Sequence, residues 1–233
     1  MRPSRAFSLL ELTLSVSILS FVLLGIFGVF EMGQSTFHYA SLRQGLQSEA
    51  RIALYQLNND LRHSSFPTVE AVPRTVSVVL PRQESKGPQT LERDGVCMAS
   101  VQNWESATAV DITTGFPNFD SFIVYYGTTE AEGRLIRQVV VPPMVGPYPN
   151  NQFSVANSMK DNPLSNSSRV GVTRTLSRRL LSIRARRDNS TRLITVDLRF
   201  RGTGSARPGT TARADETFEM TLKIYPENTY PRV

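Results

Sequence analysis

The chain has 233 residues, with 26 Lys and Arg against 20 Asp and Glu, and the resulting formal charge of +6 collects in the C-terminal half. Once an N-terminal apolar segment and a helix are subtracted, the length suffices for one compact domain with a core of its own and hardly for two. Cys97 is the only cysteine, which excludes an intramolecular disulfide and any zinc site built on paired cysteines.

From Leu12 to Phe30 the chain reads LTLSVSILSFVLLGIFGVF, uncharged and bracketed by Glu11 and Glu31. At about 1.5 Å of rise per residue this run covers roughly 28 Å as a helix, close to the ~30 Å hydrocarbon core of a bilayer. A secretory signal has a shorter apolar stretch with a small-residue cleavage site behind it. Here the run leads into Glu31-Met32-Gly33-Gln34-Ser35-Thr36, polar and helix-compatible. Arg2 and Arg5 precede the run, so the positive-inside rule leaves the first residues in the cytoplasm and sends the chain beyond Glu31 to the other side. Glu11 is the anomaly. A carboxylate at mid-bilayer costs about 2.5–3.5 kcal/mol, less near an end, and such residues are usually functional.

The segment Arg5-Ala6-Phe7-Ser8-Leu9-Leu10-Glu11-Leu12 resembles the prepilin cleavage and methylation motif of the type IV pilin and type II secretion pseudopilin superfamily. The resemblance implies that residues 1–6 are a leader cut off by a prepilin peptidase between Ala6 and Phe7. It implies that Phe7 becomes the N-methylated first residue and that Glu11 guides filament assembly by pairing with the new amine, in the same chain or on a neighbour. Ala6 departs from the usual Gly but is also small. Gly25 and Gly28 stand where major pilins often carry a kinking Pro, and such glycines loosen a membrane helix or let neighbours approach closely. On this division, 7–31 is the membrane and assembly helix, 32–66 an amphipathic helix packed on the head, and 67–233 a β-rich head.

Beyond the apolar run, Phe37, Tyr39, Leu42, Leu46, Ala50, Ala53, Leu54, Leu57 and Leu61 recur at spacings of three and four, the pattern of an amphipathic helix with one stripe to bury. No proline interrupts until Pro67, so both helical stretches join in one rod of about 55 residues and about 80 Å. Its end, from Arg51 to His63, is similar to the corresponding helix of J-type minor pseudopilins and PilW-type minor pilins.

After Val69 the period changes to two. Val76–Leu80, Phe122–Tyr126, Leu135–Val141, Leu180–Arg186, Leu193–Arg201 and Glu216–Tyr225 are short β-branched or aromatic runs separated by Gly, Pro, Asn and Ser, and they read as strands. Phe218, Met220, Leu222 and Ile224 alternate with polar residues, as do Ile194, Val196, Leu198 and Phe200, which predicts two strands pairing antiparallel across the 201–213 connection. Residues 81–108, around Cys97 and Trp104, and residues 142–169 read as loops. The expected fold class is α+β: a long N-terminal membrane-spanning helix continuing into an amphipathic helix packed on a mainly antiparallel sheet.

The chemistry inventory is poor in catalytic groups. No H-E-x-x-H, G-x-S-x-G or P-loop pattern occurs, and His38 and His63 are the only histidines, both on the predicted helix, so no enzyme activity is expected. The competing specific reading is a basic face. Ten arginines lie between Arg169 and Arg201 against Asp188 and Asp197, and alternation puts Arg184, Arg186, Arg199 and Arg201 on the wet side, where they can meet an anionic partner such as nucleic acid in a DNA-uptake component. The pilin resemblance implies instead a structural minor pilin or pseudopilin, single-pass in the inner membrane with its head outside. Its partners would be the prepilin peptidase, other pilins or pseudopilins, and an assembly platform with its ATPase. Motor and cofactor then lie in those partners, and no cofactor is expected here.

Overall fold

The computed structural model describes residues 8–81, 83–113, 115, 117–141, 155–166, 170–205 and 213–226. It has a long apolar N-terminal helix and a mainly antiparallel, curled sheet, an α+β arrangement. The chain packs as two compact units, Met1–Gln44 with Thr203–Glu216 and Gly45–Gly202 with Thr217–Val233.

Helix α1 (Leu9–His63) runs 55 residues without a break. In its N-terminal half the apolar side chains have nothing to pack on among the described residues: every Leu, Ile, Val and Phe from Leu9 to Phe30 is exposed, from 46% at Leu23 to 82% at Leu9. The polar residues in this stretch are satisfied within the helix. Thr13, Ser15, Ser17 and Ser20 donate their hydroxyls to the carbonyls of Leu10, Glu11, Thr13 and Val16 at 2.8–2.9 Å, so they bring no unpaired donor to an apolar surface. One stretch of α1 is thus long and apolar enough to cross a membrane.

In the second unit, α1 buries Leu46, Ala50, Ala53, Leu54, Leu57, Asp60 and Leu61, the three-and-four spacing of the apolar stripe. Burial starts at Leu46. Phe37 and Tyr39 share the spacing yet stay exposed, because periodicity marks a face without saying how far along it something packs.

The stripe covers one face of a seven-stranded sheet in the order β1-β4-β5-β6-β7-β8-β9. The strands are β1 (Glu70–Val72), β4 (Gly95–Ser100), β5 (Ser121–Gly127), β6 (Gly133–Val140), β7 (Val170–Asp188), β8 (Leu193–Ser205) and β9 (Arg213–Ile224), while β2 (Thr75–Val78) and β3 (Gln89–Glu92) form a separate antiparallel pair. From β1–β4 through β7–β8 each neighbouring pair in the large sheet is antiparallel. For β8 and β9 the contacts Asp197–Thr221 and Arg199–Glu219 step in opposite directions along the two strands, as antiparallel pairing requires. The helix-side core joins Leu46, Leu57 and Leu61 to Val96, Met98, Ile123, Tyr125, Leu135, Ile183, Val196 and Phe200. A second core on the opposite face collects Cys97, Ala99, Val124, Tyr126, Ile136 and Val140 under Phe119, Val155 and Met159.

Two loop assignments from the sequence need correction. Residues 81–108 contain β3 and β4, and β4 is an inner strand, between β1 and β5, whose Cys97 is 2% exposed. Its sequence GVCMAS is buried on both faces, so it shows no polar–apolar alternation to mark it. Within 142–169, Val155–Ser158 form a short helix, α2, and Pro163–Ser165 a 3-10 turn; residues 142–154 and 167–169 lie outside the described set. Strand β7 begins ten residues before the predicted Leu180, because its first half leaves most side chains exposed and carries no apolar repeat.

Candidate functional site

Of the residues singled out at the N-terminus, Ala6 and Phe7 lie outside the described residues. Glu11 sits in the first turn of α1. Ser8, just before the helix, accepts the Glu11 N–H on its hydroxyl oxygen at 3.2 Å and on its carbonyl at 3.0 Å, and the Leu12 N–H at 3.1 Å. Ser8-Leu9-Leu10-Glu11 therefore has the spacing of a capping box, with an acid at the positive end of the helix dipole. That placement contributes about 0.3–1 kcal/mol. It does not offset the cost of about 2.5–3.5 kcal/mol for an unpaired carboxylate deep in hydrocarbon, so in a bilayer Glu11 would need either interfacial water or a cation.

The four arginines of the basic face do lie together on the surface of β7 and β8, on the side away from the core residues Val196, Leu198 and Phe200. Each has a protein partner. Arg184 pairs with Glu92 at 3.5 Å, Arg186 with Asp197 at 2.5 Å and Arg199 with Glu219 at 2.8 Å, and Arg201 donates to the Pro81 carbonyl at 3.1 Å. The face is a lattice of alternating charge rather than a uniform cation. Two of the acids that balance it, Glu92 and Glu219, come from β3 and β9, distant in sequence from the arginine-rich stretch.

A polar cluster that the sequence did not reveal lies where α1 ends on the sheet. Asp60 falls inside the buried stripe of α1 and is 8% exposed. Its Oδ2 accepts the Tyr125 hydroxyl and the Arg137 Nε, the latter at 2.6 Å; its Oδ1 accepts Gln56 Nε2 at 3.2 Å and Arg137 Nη2 at 3.3 Å. Both oxygens are fully used, in bidentate geometry toward the guanidinium. Burial, and then the adjacent carboxylate, push the Tyr125 phenol far above its ordinary value. Burial alone would depress Arg137, but the Asp60 carboxylate more than compensates and raises it. The cluster thus holds a neutral phenol, a carboxylate and a guanidinium, and it ties helix to sheet.

Arg137 also lines a cleft of about 530 Å³ beside the last turns of α1. Its floor is the helix-side face of β4 to β7, with Ser100, Ser121 and Ile123; Asn59 and His63 form one wall, and Val101, Gln102 and Trp104 the other. Trp104 and His63 have ring centroids 6.3 Å apart, and Trp104 remains 42% exposed. Arg174 of β7 stands directly across from Arg137 of β6. The signal available in the sequence was Asp60 interrupting an apolar stripe and Arg137 interrupting an apolar strand; their meeting depended on helix docking that no local pattern specifies.

Arg93 is fully buried, and its role is structural. Its Nε donates to the Leu181 carbonyl at 2.8 Å and its Nη1 to the Thr128 carbonyl at 2.5 Å, while Nη2 has no partner among the described residues. Burial, and then Arg74, push this guanidinium down to about 10. Gly127 and Gly133 leave room for it: a Cβ on Gly127 would lie 2.8 Å from Arg93 Cδ, and one on Gly133 would collide with the guanidinium and with the Leu180 carbonyl. Among the described residues no group of three or more His, Cys, Asp or Glu side chains is placed to hold a metal ion.

No protein-family model, curated protein or solved structure matches this chain.

Proposed function

We propose that this chain is a type IV pilin-like subunit, a minor pilin or pseudopilin that waits in the inner membrane and is then drawn into a filament or its tip. The observation that carries the reading is the wholly uncovered apolar surface of α1 from Leu9 to Phe30, with one carboxylate, Glu11, at its start. Leaving a large apolar side chain in water costs about 1.5–3 kcal/mol, so this surface requires a nonaqueous environment throughout its length. A bilayer supplies one. Neighbouring rods of the same kind supply another, and the change from lipid to protein contact is then nearly neutral in apolar burial. Glu11 would find its cation in the amine exposed at Phe7 once residues 1–6 are removed by a prepilin peptidase, and the match would fix axial register between neighbours. Head-to-tail contacts of this type build an open filament. Platform protein and ATPase would supply the motor, and the head, on the far side of the membrane from Arg2 and Arg5, would carry tip or partner contacts.

The alternative, nucleic-acid binding through Arg184, Arg186, Arg199 and Arg201, draws less support. A phosphate would have to displace Glu92, Asp197, Glu219 and the Pro81 carbonyl from arginines already engaged with them.

The test is Glu11→Gln in cells that assemble the filament. The variant should remain in the membrane fraction, because the apolar run is intact, and should disappear from sheared filaments. Incorporation at the wild-type level would remove the role assigned to the carboxylate.

A further inference from the structure

The cleft at the end of α1 has an unbalanced charge. Among the described residues Asp60 is the only acid that lines it, and its oxygens are occupied by Tyr125, Gln56 and Arg137. Two guanidiniums line it as well. Arg137 turns Nε and Nη2 to Asp60 and lines the cleft as well. Arg174 is exposed, and among the described residues it meets no carboxylate within ion-pairing distance. The register sets these like charges directly opposite each other on adjacent strands, an arrangement that destabilises a sheet unless something negative lies between them. Elsewhere on the sheet, Arg184, Arg186 and Arg199 each have an acid; here the second acid is missing.

The rest of the lining is mixed, with polar side chains such as Asn59, Ser100 and Ser121 on one part and an apolar edge on another. Trp104 and Val172 are 42% and 53% exposed at its edge, with Val101, Ile123 and Val139 beside them. A volume of about 530 Å³ falls within the usual range for small-ligand pockets. We propose that this cleft binds a carboxylate carried on an aromatic or branched apolar group, the chemistry presented by the free C-terminal end of a peptide. The carboxylate sits between Arg174 and Arg137, a planar acceptor meeting planar donors, and the apolar group lies against Trp104 and Val172. A bare phosphate satisfies the arginines but leaves the edge at Trp104 and Val172 empty.

Trp104 is the only tryptophan of the chain, so its emission reports occupancy directly. Full-length protein in detergent is titrated with N-acetyl-phenylalanine, with the uncharged N-acetyl-phenylalanine amide, and with inorganic phosphate. The carboxylate should give a saturable change, the amide and phosphate none over the same range. Arg174→Ala should weaken the carboxylate about tenfold, the loss expected for a charge-assisted hydrogen-bonded contact. Arg174 is exposed, so circular dichroism of this variant should match that of the wild type. Absence of a saturable response to the carboxylate overturns the proposal; so does an equal response to amide or phosphate, or a carboxylate affinity unchanged by Arg174→Ala in the folded variant.

Discussion

Replacing Asp60 by Asn and Arg137 by Met, singly and together, tests whether the buried carboxylate and guanidinium act as one unit. Their side chains are 7% and 12% exposed, and the closest contact is 2.6 Å. Breaking a buried pair by removing one member costs about 3–5 kcal/mol, because the other charge is left without compensation. The cleft admits water to one edge of Arg137, which favours the lower end, so about 3 kcal/mol is expected for Asp60→Asn. The asparagine still accepts the Tyr125 hydroxyl, which keeps that bond out of the difference. Arg137→Met strands Asp60 in turn, at about 2–3 kcal/mol. The double variant leaves no charge behind and should lose only about 1–2 kcal/mol, so the cycle should return a coupling of about 4 kcal/mol. The assay is equilibrium urea unfolding of the full chain in mild detergent, tracked by Trp104 emission and by circular dichroism. Additive losses, with coupling under about 0.5 kcal/mol, would refute the claim that these groups form one lock.

Cys97 is 2% exposed, and burial, then Glu70, push its thiol far up; the native protein should therefore resist maleimide at neutral pH and react fully in denaturant, and rapid native labelling would contradict the burial of β4 on both faces. Tyr126 is pushed up to about 12 by burial and then by Asp161, and Tyr125 further still. Because these folded values lie above the ordinary phenol value of about 10, the stability they contribute is complete below about pH 10 and is lost as pH rises through 12 and beyond. An ultraviolet titration should show Tyr125 and Tyr126 ionising late, together with unfolding; a titration complete near pH 10 with the fold intact would contradict the buried hydroxyls.

The elements that the sequence made legible are those with one buried and one wet face. The α1 stripe from Leu46 to Leu61 and the alternation in β8 and β9 announce their own geometry, since their period reflects which side meets the core. Strand β4 was hidden because both of its faces are buried. The capping role of Ser8 toward Glu11 was present as a four-residue spacing, overshadowed by the larger question of an acid beside an apolar run. The arginine-rich stretch was visible, but not its balance, because Glu92 and Glu219 reach it from other strands. The cleft was the least legible feature. Arg137 and Arg174 are brought together by the β6–β7 register, which includes shifts between Gly133 and Val140, and a one-residue slip would have sent one of them to the other face.

The central claim is that the exposed apolar rod of α1 is an assembly element whose lone acid meets a newly made chain terminus. Intact-mass analysis of the protein recovered from membranes of its native host tests this most directly. The account predicts a chain that lacks Met1 to Ala6 and begins at a methylated Phe7; a population that keeps those residues throughout, with no trimmed form, would contradict it.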